Sequence, residues 1–204
     1  MVGKIAIWGG NHMPRQGLTQ ETVVQAAAAL IEAEGIDRFS MGELAKRLDV
    51  KPASLYNHVK GVDALLEAVG LSAIGQLVEA ERQAIAGKGP EEALFALAEA
   101  YRTFARVHNQ LYRVIMGKNP VLTNRAGEIV QPILQVLSAY GLTRTQQFHW
   151  QRVLRGLMYG FAAHEYAGGF SHFPVDENES YRMAIQWVAQ SLRQVKEGNH
   201  GQPE

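Results

Sequence analysis

Apolar residues recur at helical spacing along almost the whole chain. In one short example the apolar positions are Met41, Leu44, Ala45 and Leu48, the i, i+3, i+4, i+7 spacing of a single buried helix face. The same period predicts further helices over about 20–34, 62–86, 91–108, 111–116, 123–140, 143–167 and 179–196. No stretch shows the alternation of apolar and polar residues that a half-buried strand requires. The predicted fold class is therefore all-α.

Residues 40–65 predict two short helices joined by a tight turn, and then the start of a longer helix. Ser40 and Glu43 have the capping-box spacing, in which a hydroxyl and a carboxylate each accept a backbone N–H at a helix start. Pro52 is tolerated in a first helical turn, so the second helix is expected over 52–58. A helix-turn-helix of this kind places its second helix in the major groove of DNA.

The second helix and its flanks supply the candidate DNA contacts. Leu55 and Val59 anchor this helix, which leaves its other side chains facing outward. The small Ala53 lets the backbone approach the bases and favours contact with a thymine methyl, whereas hydroxyl and ammonium groups suit phosphate oxygens. The candidate DNA-contacting residues are Ser40, Lys51, Pro52, Ala53, Ser54, Tyr56, Asn57, His58 and Lys60. The basic excess over 40–60 is mild, so charge alone does not separate this segment from a helical cap without a ligand.

Residues 19–66 resemble the tetracycline-repressor (TetR) family of bacterial transcription regulators. The features that carry the resemblance are a first helix closed by Glu34-Gly35, the entry Phe39-Ser40-Met41, and the run LYNHV at 55–59 followed by Leu65. The resemblance implies a three-helix helix-turn-helix domain, here 14–66, and a helical effector-binding and dimerisation domain, here 67–196. It also implies a homodimer bound to double-stranded DNA. Two positions depart from the family pattern, Lys51 in place of Ser or Thr and Val62 in place of Lys.

The segment 91–192 is similar to the WHG-type ligand-binding domain of some members of this family, although the name-giving Trp-His-Gly triplet is absent. The resemblance implies that the last two helices form the dimer interface. One helix carries a line of small residues and the last helix a matching apolar stripe. The predicted interface residues are Gly156, Gly160, Ala163, Ala167, Ile185, Val188 and Leu192. Packing within one subunit is the alternative reading of both features.

Family geometry also implies an effector pocket inside the second domain. Its candidate lining residues are Tyr101, Phe104, His108, Tyr112, Met116, Ile133, Met158 and Tyr159. A set of this kind also suits a plain hydrophobic core. If it binds a ligand, the expected effector is a small, mostly apolar or aromatic molecule. No cluster has the spacing of metal ligands, and neither a metal nor a cofactor is expected.

Composition narrows the function further. Twenty basic and twenty acidic residues give a formal net charge of zero, so any basic face is local. The chain has no cysteine, which excludes disulfides and thiolate metal sites and agrees with a reducing cytoplasm. No apolar run approaches the roughly 20 residues of a membrane helix. Residues 1–13 are expected to be a tag or a disordered arm, and 197–204 a disordered tail.

The sequence therefore predicts a cytoplasmic DNA-binding regulator, a repressor that a small molecule releases from a palindromic operator. Two alternatives stay open. The DNA-binding protein could be controlled by a protein partner in place of a small molecule. An all-helical enzyme is the other alternative, but the chain lacks the Gly-x-Ser-x-Gly, His-Glu-x-x-His and phosphate-binding glycine motifs.

Overall fold

The structure is a computed structural model that describes residues 18–117 and 120–200. Within these ranges the chain forms nine α-helices and no strand, which confirms the all-α prediction. The helices are α1 Gln20–Glu34, α2 Met41–Arg47, α3 Pro52–Leu55, α4 Val62–Ile85, α5 Pro90–Val107, α6 Asn109–Met116, α7 Pro120–Ser138, α8 Arg144–Tyr166 and α9 Glu177–His200. Among them, none combines the length and the hydropathy needed to cross a membrane. The expected arm at 1–13 lies outside the described residues, as do 201–204 of the expected tail, whose first four residues continue α9.

Helices α1 to α3 form a small bundle that we call the reading head. Thr19 begins α1 with a capping box, in which its hydroxyl accepts the backbone N–H of Thr22 at 3.1 Å. Ser40 begins α2 in the same way by accepting from the backbone N–H of Glu43 at 3.2 Å. The carboxylate of Glu43 bonds to Lys46 at 2.6 Å, so only one half of the predicted capping box is recorded.

The turn between α2 and α3 depends on a left-handed backbone conformation at Asp49, whose φ is 53°. Aspartate tolerates this region better than most residues because its short polar side chain bonds locally. Helix α3 ends at Leu55, before the predicted His58, and continues as a turn in which His58 donates to the Leu55 carbonyl at 2.9 Å. The segment still projects as one unit, because Leu55 and Val59 are both buried.

Helix α4 connects the reading head to the rest of the molecule without a break. It packs on α1 of the head, and it also contacts α5, α6 and α7. Leu65, Val69, Ile74 and Leu77 are completely buried along it. The expected domain boundary at 66/67 therefore falls inside a continuous helix, which can transmit a displacement between the two domains.

Helices α5, α8 and α9 are held together by a buried ion pair. Arg102 on α5 forms a two-pronged bond to Glu165 on α8, at 2.7 and 3.0 Å, and reaches Asn178 on α9 at 3.1 Å. The guanidinium also lies over the rings of Phe161 and Tyr181, 5.1 and 4.9 Å from their centroids. Removing one member of such a pair leaves a buried charge without compensation, so these contacts fix how the three helices pack.

The ends of α7 and α9 differ from the predicted ones by two to four residues. Helix α7 begins at Pro120, three residues before the prediction, because proline is suited to a first helical turn. It ends at Ser138, and α9 extends two residues earlier and four later than predicted. Pro132 lies inside α7, where its missing N–H is expected to bend the helix.

Candidate functional site

The predicted DNA-contacting residues lie on the outer surface of the reading head. Lys51, Pro52, Ala53, Asn57 and Lys60 are exposed, as is Ser40, and Ser54 and His58 are half-buried. The Tyr56 side chain is 56% exposed although it is a large aromatic residue. Because the adjacent Leu55 is fully buried, the backbone that carries these side chains is fixed against the core. The result is a projecting edge on which the Tyr56 hydroxyl and the ammonium groups of Lys51 and Lys60 are accessible, as contact with a phosphate backbone requires.

The short helix α6 is bonded directly to the reading head. Glu32 on α1 accepts a hydrogen bond from the backbone N–H of Leu111, in the first turn of α6, at 3.0 Å. The Gln110 side-chain oxygen accepts from the backbone N–H of Ile36 at 3.2 Å. Arg113 forms two hydrogen bonds to Asp37, at 2.9 and 3.1 Å, which hold the pKa of that carboxyl below its usual value. Movement of α6 must therefore either move the head or break these bonds.

The other end of α6 borders a cleft of about 480 Å³ between α5 and α8. We call this the α8 cleft; it is lined by Tyr101, Met116, Gln151, Arg152, Arg155, Gly156 and Tyr159. Its size is in the range of small-molecule sites. Five of the seven lining residues are on α8 at helical spacing, and Met116 is the last residue of α6. One helix thus contacts both the cleft and the reading head.

Tyr101, a lining residue of the α8 cleft, is hydrogen-bonded to Tyr112 in the core behind it. Tyr101 and Tyr112 are buried, and their hydroxyl oxygens are 2.7 Å apart with the rings edge to face. Burial raises the pKa of Tyr101 to about 12 and raises the pKa of Tyr112 as well, so both hydroxyls stay protonated at neutral pH. Arg155 interacts electrostatically with both. The cleft therefore combines an aromatic wall with hydrogen-bond donors.

The eight predicted pocket residues do not lie in one place. Tyr101, Met116 and Tyr159 line the α8 cleft. Phe104 and His108 border a separate groove between α4 and α5, in which four of the ten lining residues are alanine. The remaining three, Tyr112, Ile133 and Met158, are buried in the protein core. Five of the eight are buried, His108 and Met116 are half-buried, and Tyr159 is exposed. The helical period carried no information on which helix covers each of them.

The prediction missed the polar residues Gln151, Arg152 and Arg155 of the α8 cleft. The available signal was the spacing of Gln151, Arg155 and Tyr159, which recur every four residues and so share one side of α8. The apolar residues between these positions drew the prediction to another face of the helix. Only Leu154, Met158 and Ala162 of α8 are fully buried.

The small-residue line of α8 is accessible from outside the subunit. Gly156 and Ala167 are exposed, whereas Gly160 and Ala163 are half-buried. A Cβ atom built on Gly156 or Gly160 would meet nothing within 4 Å beyond the helix itself, so packing within the subunit does not require glycine there. Gly156 also borders the α8 cleft.

The α9 part of the predicted interface has to be corrected. Ile185, Val188 and Leu192 are 1%, 7% and 0% exposed within a single subunit, so they pack on its own core and are not available to a partner. The outer face of α9 carries Met183 and Trp187, which are 53% and 70% exposed. The spacing of apolar residues along α9 identified the stripe that packs on the core of its own subunit. In a sequence alone, such a stripe looks the same as one that packs on a second subunit.

Two family models match separate parts of the chain. The first, described as bacterial regulatory proteins of the tetR family, matches residues 23–69. The second, described as a tetracyclin repressor-like C-terminal domain, matches residues 94–188. Together they cover most of the reading head and the helices that build the α8 cleft.

Known proteins agree with these matches. An uncharacterized HTH-type transcriptional regulator of Mycobacterium tuberculosis, Rv0681, is 29% identical over 78% of this chain and 75% of its own length. The HTH-type transcriptional repressor DrrR1 of Streptomyces coeruleorubidus is 30% identical over 67% of this chain and 51% of its own. The crystal structure of a TetR variant from Acinetobacter baumannii in complex with minocycline has the same fold, with a TM-score of 0.67 at 19% identity over 88% of this chain and 99% of that one. From the family models and these relatives together, this chain belongs to the TetR family and is a DNA-binding transcriptional regulator, not an enzyme.

Proposed function

We propose that the protein is a homodimeric repressor that binds an operator with two inverted half-sites and leaves it when a small molecule enters the α8 cleft. The observation that carries this proposal is the position of α6. One end of α6 is bonded to Glu32, Ile36 and Asp37 of the reading head, and its last residue, Met116, lines the cleft. A ligand that displaces Met116 would alter the bonds that orient the head.

The DNA-binding part of the proposal rests on the exposed edge of α3. The predicted contacts are Ser40, Lys51, Pro52, Ala53, Ser54, Tyr56, Asn57, His58 and Lys60. Within the described ranges neither Lys51 nor Lys60 forms an ion pair with an acidic side chain, so both ammonium groups are available to phosphate. A single short helix reads only a few base pairs, and proteins of this architecture obtain a longer site by pairing two copies about one helical turn of DNA apart.

The dimer part of the proposal rests on the outer faces of α8 and α9. A glycine line without an intramolecular purpose allows two helices to approach closely, and a 70% exposed tryptophan is costly to leave in water. We therefore assign the interface to Gly156, Gly160, Ala163 and Ala167 together with Met183 and Trp187.

The effector part of the proposal is supported by the cleft itself, because a volume of about 480 Å³ lined by aromatic and polar side chains is what a small-molecule site offers. The relative of similar fold from Acinetobacter baumannii was crystallised with minocycline. The name of the DrrR1 relative supports repression over activation. An operator as partner implies a cytoplasmic protein.

The proposal is tested by anisotropy of a fluorescent operator duplex, chosen by selection from random DNA, in the presence of candidate effectors. We expect two subunits per operator and a ligand that lowers operator affinity by about 5–150-fold. Coupling is reciprocal, so operator must weaken ligand binding by the same factor. A ligand that binds the cleft with equal affinity in the presence and absence of operator would overturn the sensor proposal.

A further inference from the structure

The α8 cleft contains cationic groups and no acidic lining residue. Arg152 and Arg155 both line it, and Tyr101, Gln151 and Tyr159 supply its other polar atoms. Within the described part of the chain, Arg155 forms neither an ion pair nor a hydrogen bond, although its side chain is half-buried. This contrasts with Arg102, whose guanidinium is fully engaged by Glu165 and Asn178. Within one subunit this partly buried guanidinium loses hydration without gaining a counter-charge, and an anionic ligand in the cleft would supply one.

The hydroxyl groups of Tyr101 and Tyr112, which interact electrostatically with Arg155, have one hydrogen that the bond between them does not use. Two hydroxyl groups carry two hydrogens, and the bond between Tyr101 and Tyr112 uses one of them. No further hydrogen bond from either hydroxyl is recorded within residues 18–117 and 120–200, and both side chains are buried. The second hydrogen therefore lacks an acceptor. When Tyr112 donates to Tyr101, the spare hydrogen is that of Tyr101, which lines the cleft, and an acceptor atom of a ligand can bind it.

The buried acid Glu81 does not neutralise the positive charge of the two arginines that line the cleft. Glu81, a buried acid that interacts electrostatically with Tyr101, has no hydrogen-bond partner for either carboxyl oxygen within the described chain. Burial raises the pKa of Glu81 to about 8, so this acid is mainly neutral at pH 7. The two guanidinium groups then dominate the local potential.

We propose that the effector is an aromatic molecule bearing a carboxylate or another acidic oxygen group. Its acidic group binds the guanidinium of Arg155 and accepts a hydrogen bond from the tyrosine pair, and its rings contact Met116 and Tyr159. This inference rests on the proposed function of the cleft, and it replaces the mostly apolar ligand expected from sequence. Gln151, whose side-chain oxygen is buried and unpaired in the described structure, adds one acceptor that suits a hydroxyl donor on the ligand.

The test uses three probes of similar size: 2-naphthoate, the neutral 2-naphthamide and the cation 2-naphthylmethylammonium. Binding to the full-length protein is measured by calorimetry at constant ionic strength. We expect naphthoate to bind at least about tenfold more tightly than the amide, and the cation to bind most weakly. Arg155→Gln should abolish the preference for the acid, whereas Arg155→Lys, which keeps the charge, should retain most of it. Arg144→Gln, at the far end of α8, is the matched control and should change nothing.

The same variants and probes are tested separately against fluorescent operator by anisotropy, so the two proposals can fail separately. Equal affinities for acid and amide, an acid preference that survives Arg155→Gln, or no binding by any of the three probes at millimolar concentration would each overturn the ligand class. An acid that binds through Arg155 and leaves operator affinity unchanged would uphold the ligand class and remove the sensor function. Thermal melting of each variant identifies any loss of binding that comes from unfolding.

Discussion

The Glu32 carboxylate accepts a hydrogen bond from the backbone N–H of Leu111 across 3.0 Å, and so joins the first helix of the reading head to α6. The N–H groups in the first turn of a helix have no partner within that helix, and a carboxylate there also interacts favourably with the helix dipole. His108, the residue before α6, approaches the same carboxylate at 3.9 Å. A single acidic side chain of the head therefore completes the start of the helix whose other end lines the effector cleft.

Glu32→Ala should uncouple the effector from DNA. The substitution removes the cap of α6, at a cost of about 1 kcal/mol in the free energy of unfolding, while the α3 surface is untouched. We expect operator affinity without ligand to stay within about threefold of wild type, and the ligand-induced loss of affinity to shrink from the usual range of about 5–150-fold toward none. Glu21→Ala is the control, because Glu21 is also on α1 and, among the described residues, accepts a side-chain hydrogen bond only from Gln25 of the same helix. Anisotropy titrations with and without 2-naphthoate measure both quantities, and undiminished coupling in Glu32→Ala would contradict the role of α6.

Dimerisation should depend on Trp187. Trp187→Glu places a charge where the proposed interface buries an aromatic side chain, so the dimer dissociation constant should rise by about 30-fold or more. Val107→Glu makes the same change at a residue that is 62% exposed but lies at the end of α5, and it should leave the dimer intact. Analytical ultracentrifugation at several concentrations gives the constants. A Trp187→Glu protein that remains dimeric at nanomolar concentration would exclude this face from the interface.

Gly160→Leu tests the same interface from α8. A Cβ at this position meets nothing within 4 Å in the subunit, so the subunit should fold normally. Overpacking between two subunits should cost about 1–3 kcal/mol of association free energy. The expected result is a shift toward monomer at low protein concentration. At a concentration where the wild type is also monomeric, the two proteins should melt at similar temperatures, and a lower melting temperature for Gly160→Leu would mean that the leucine clashes within the subunit.

Stability should fall with rising pH because of Glu81. Burial raises the pKa of this carboxyl from 4.5 to about 8 in the folded protein. Between these values the folded state binds a proton that the unfolded state has released, so the free energy of unfolding decreases as pH rises, by up to about 1.4 kcal/mol per pH unit. Glu81→Gln keeps the shape without the titration and should flatten the dependence from about pH 5 to about pH 8. Glu79→Gln, on the same helix at an exposed position, should retain the wild-type slope in urea denaturation at each pH.

The sequence predicted well those features that local chemistry determines. The bounds of α1 followed from the Thr19 cap and from Gly35, and the exposed edge of α3 followed from the spacing of Leu55 and Val59. Contacts between residues that are far apart in the sequence could not be predicted from spacing and capping signals. Arg102 and Glu165 are separated by 63 positions, and no period or motif connects them. For the same reason Phe104 and His108 were grouped with Met116, although the groove that they line is separate from the α8 cleft.

DNA sequence selection tests the central claim most directly. The purified protein is incubated with a random duplex library, the bound DNA is recovered through several rounds and sequenced, and Tyr56→Phe is carried in parallel. We expect an inverted repeat with half-site centres about one helical turn apart, and the same repeat at reduced yield for Tyr56→Phe, because a hydroxyl on a phosphate contributes affinity without base discrimination. Recovery of no enriched motif, or of a single half-site without its inverted copy, would contradict a paired reading of DNA by α3.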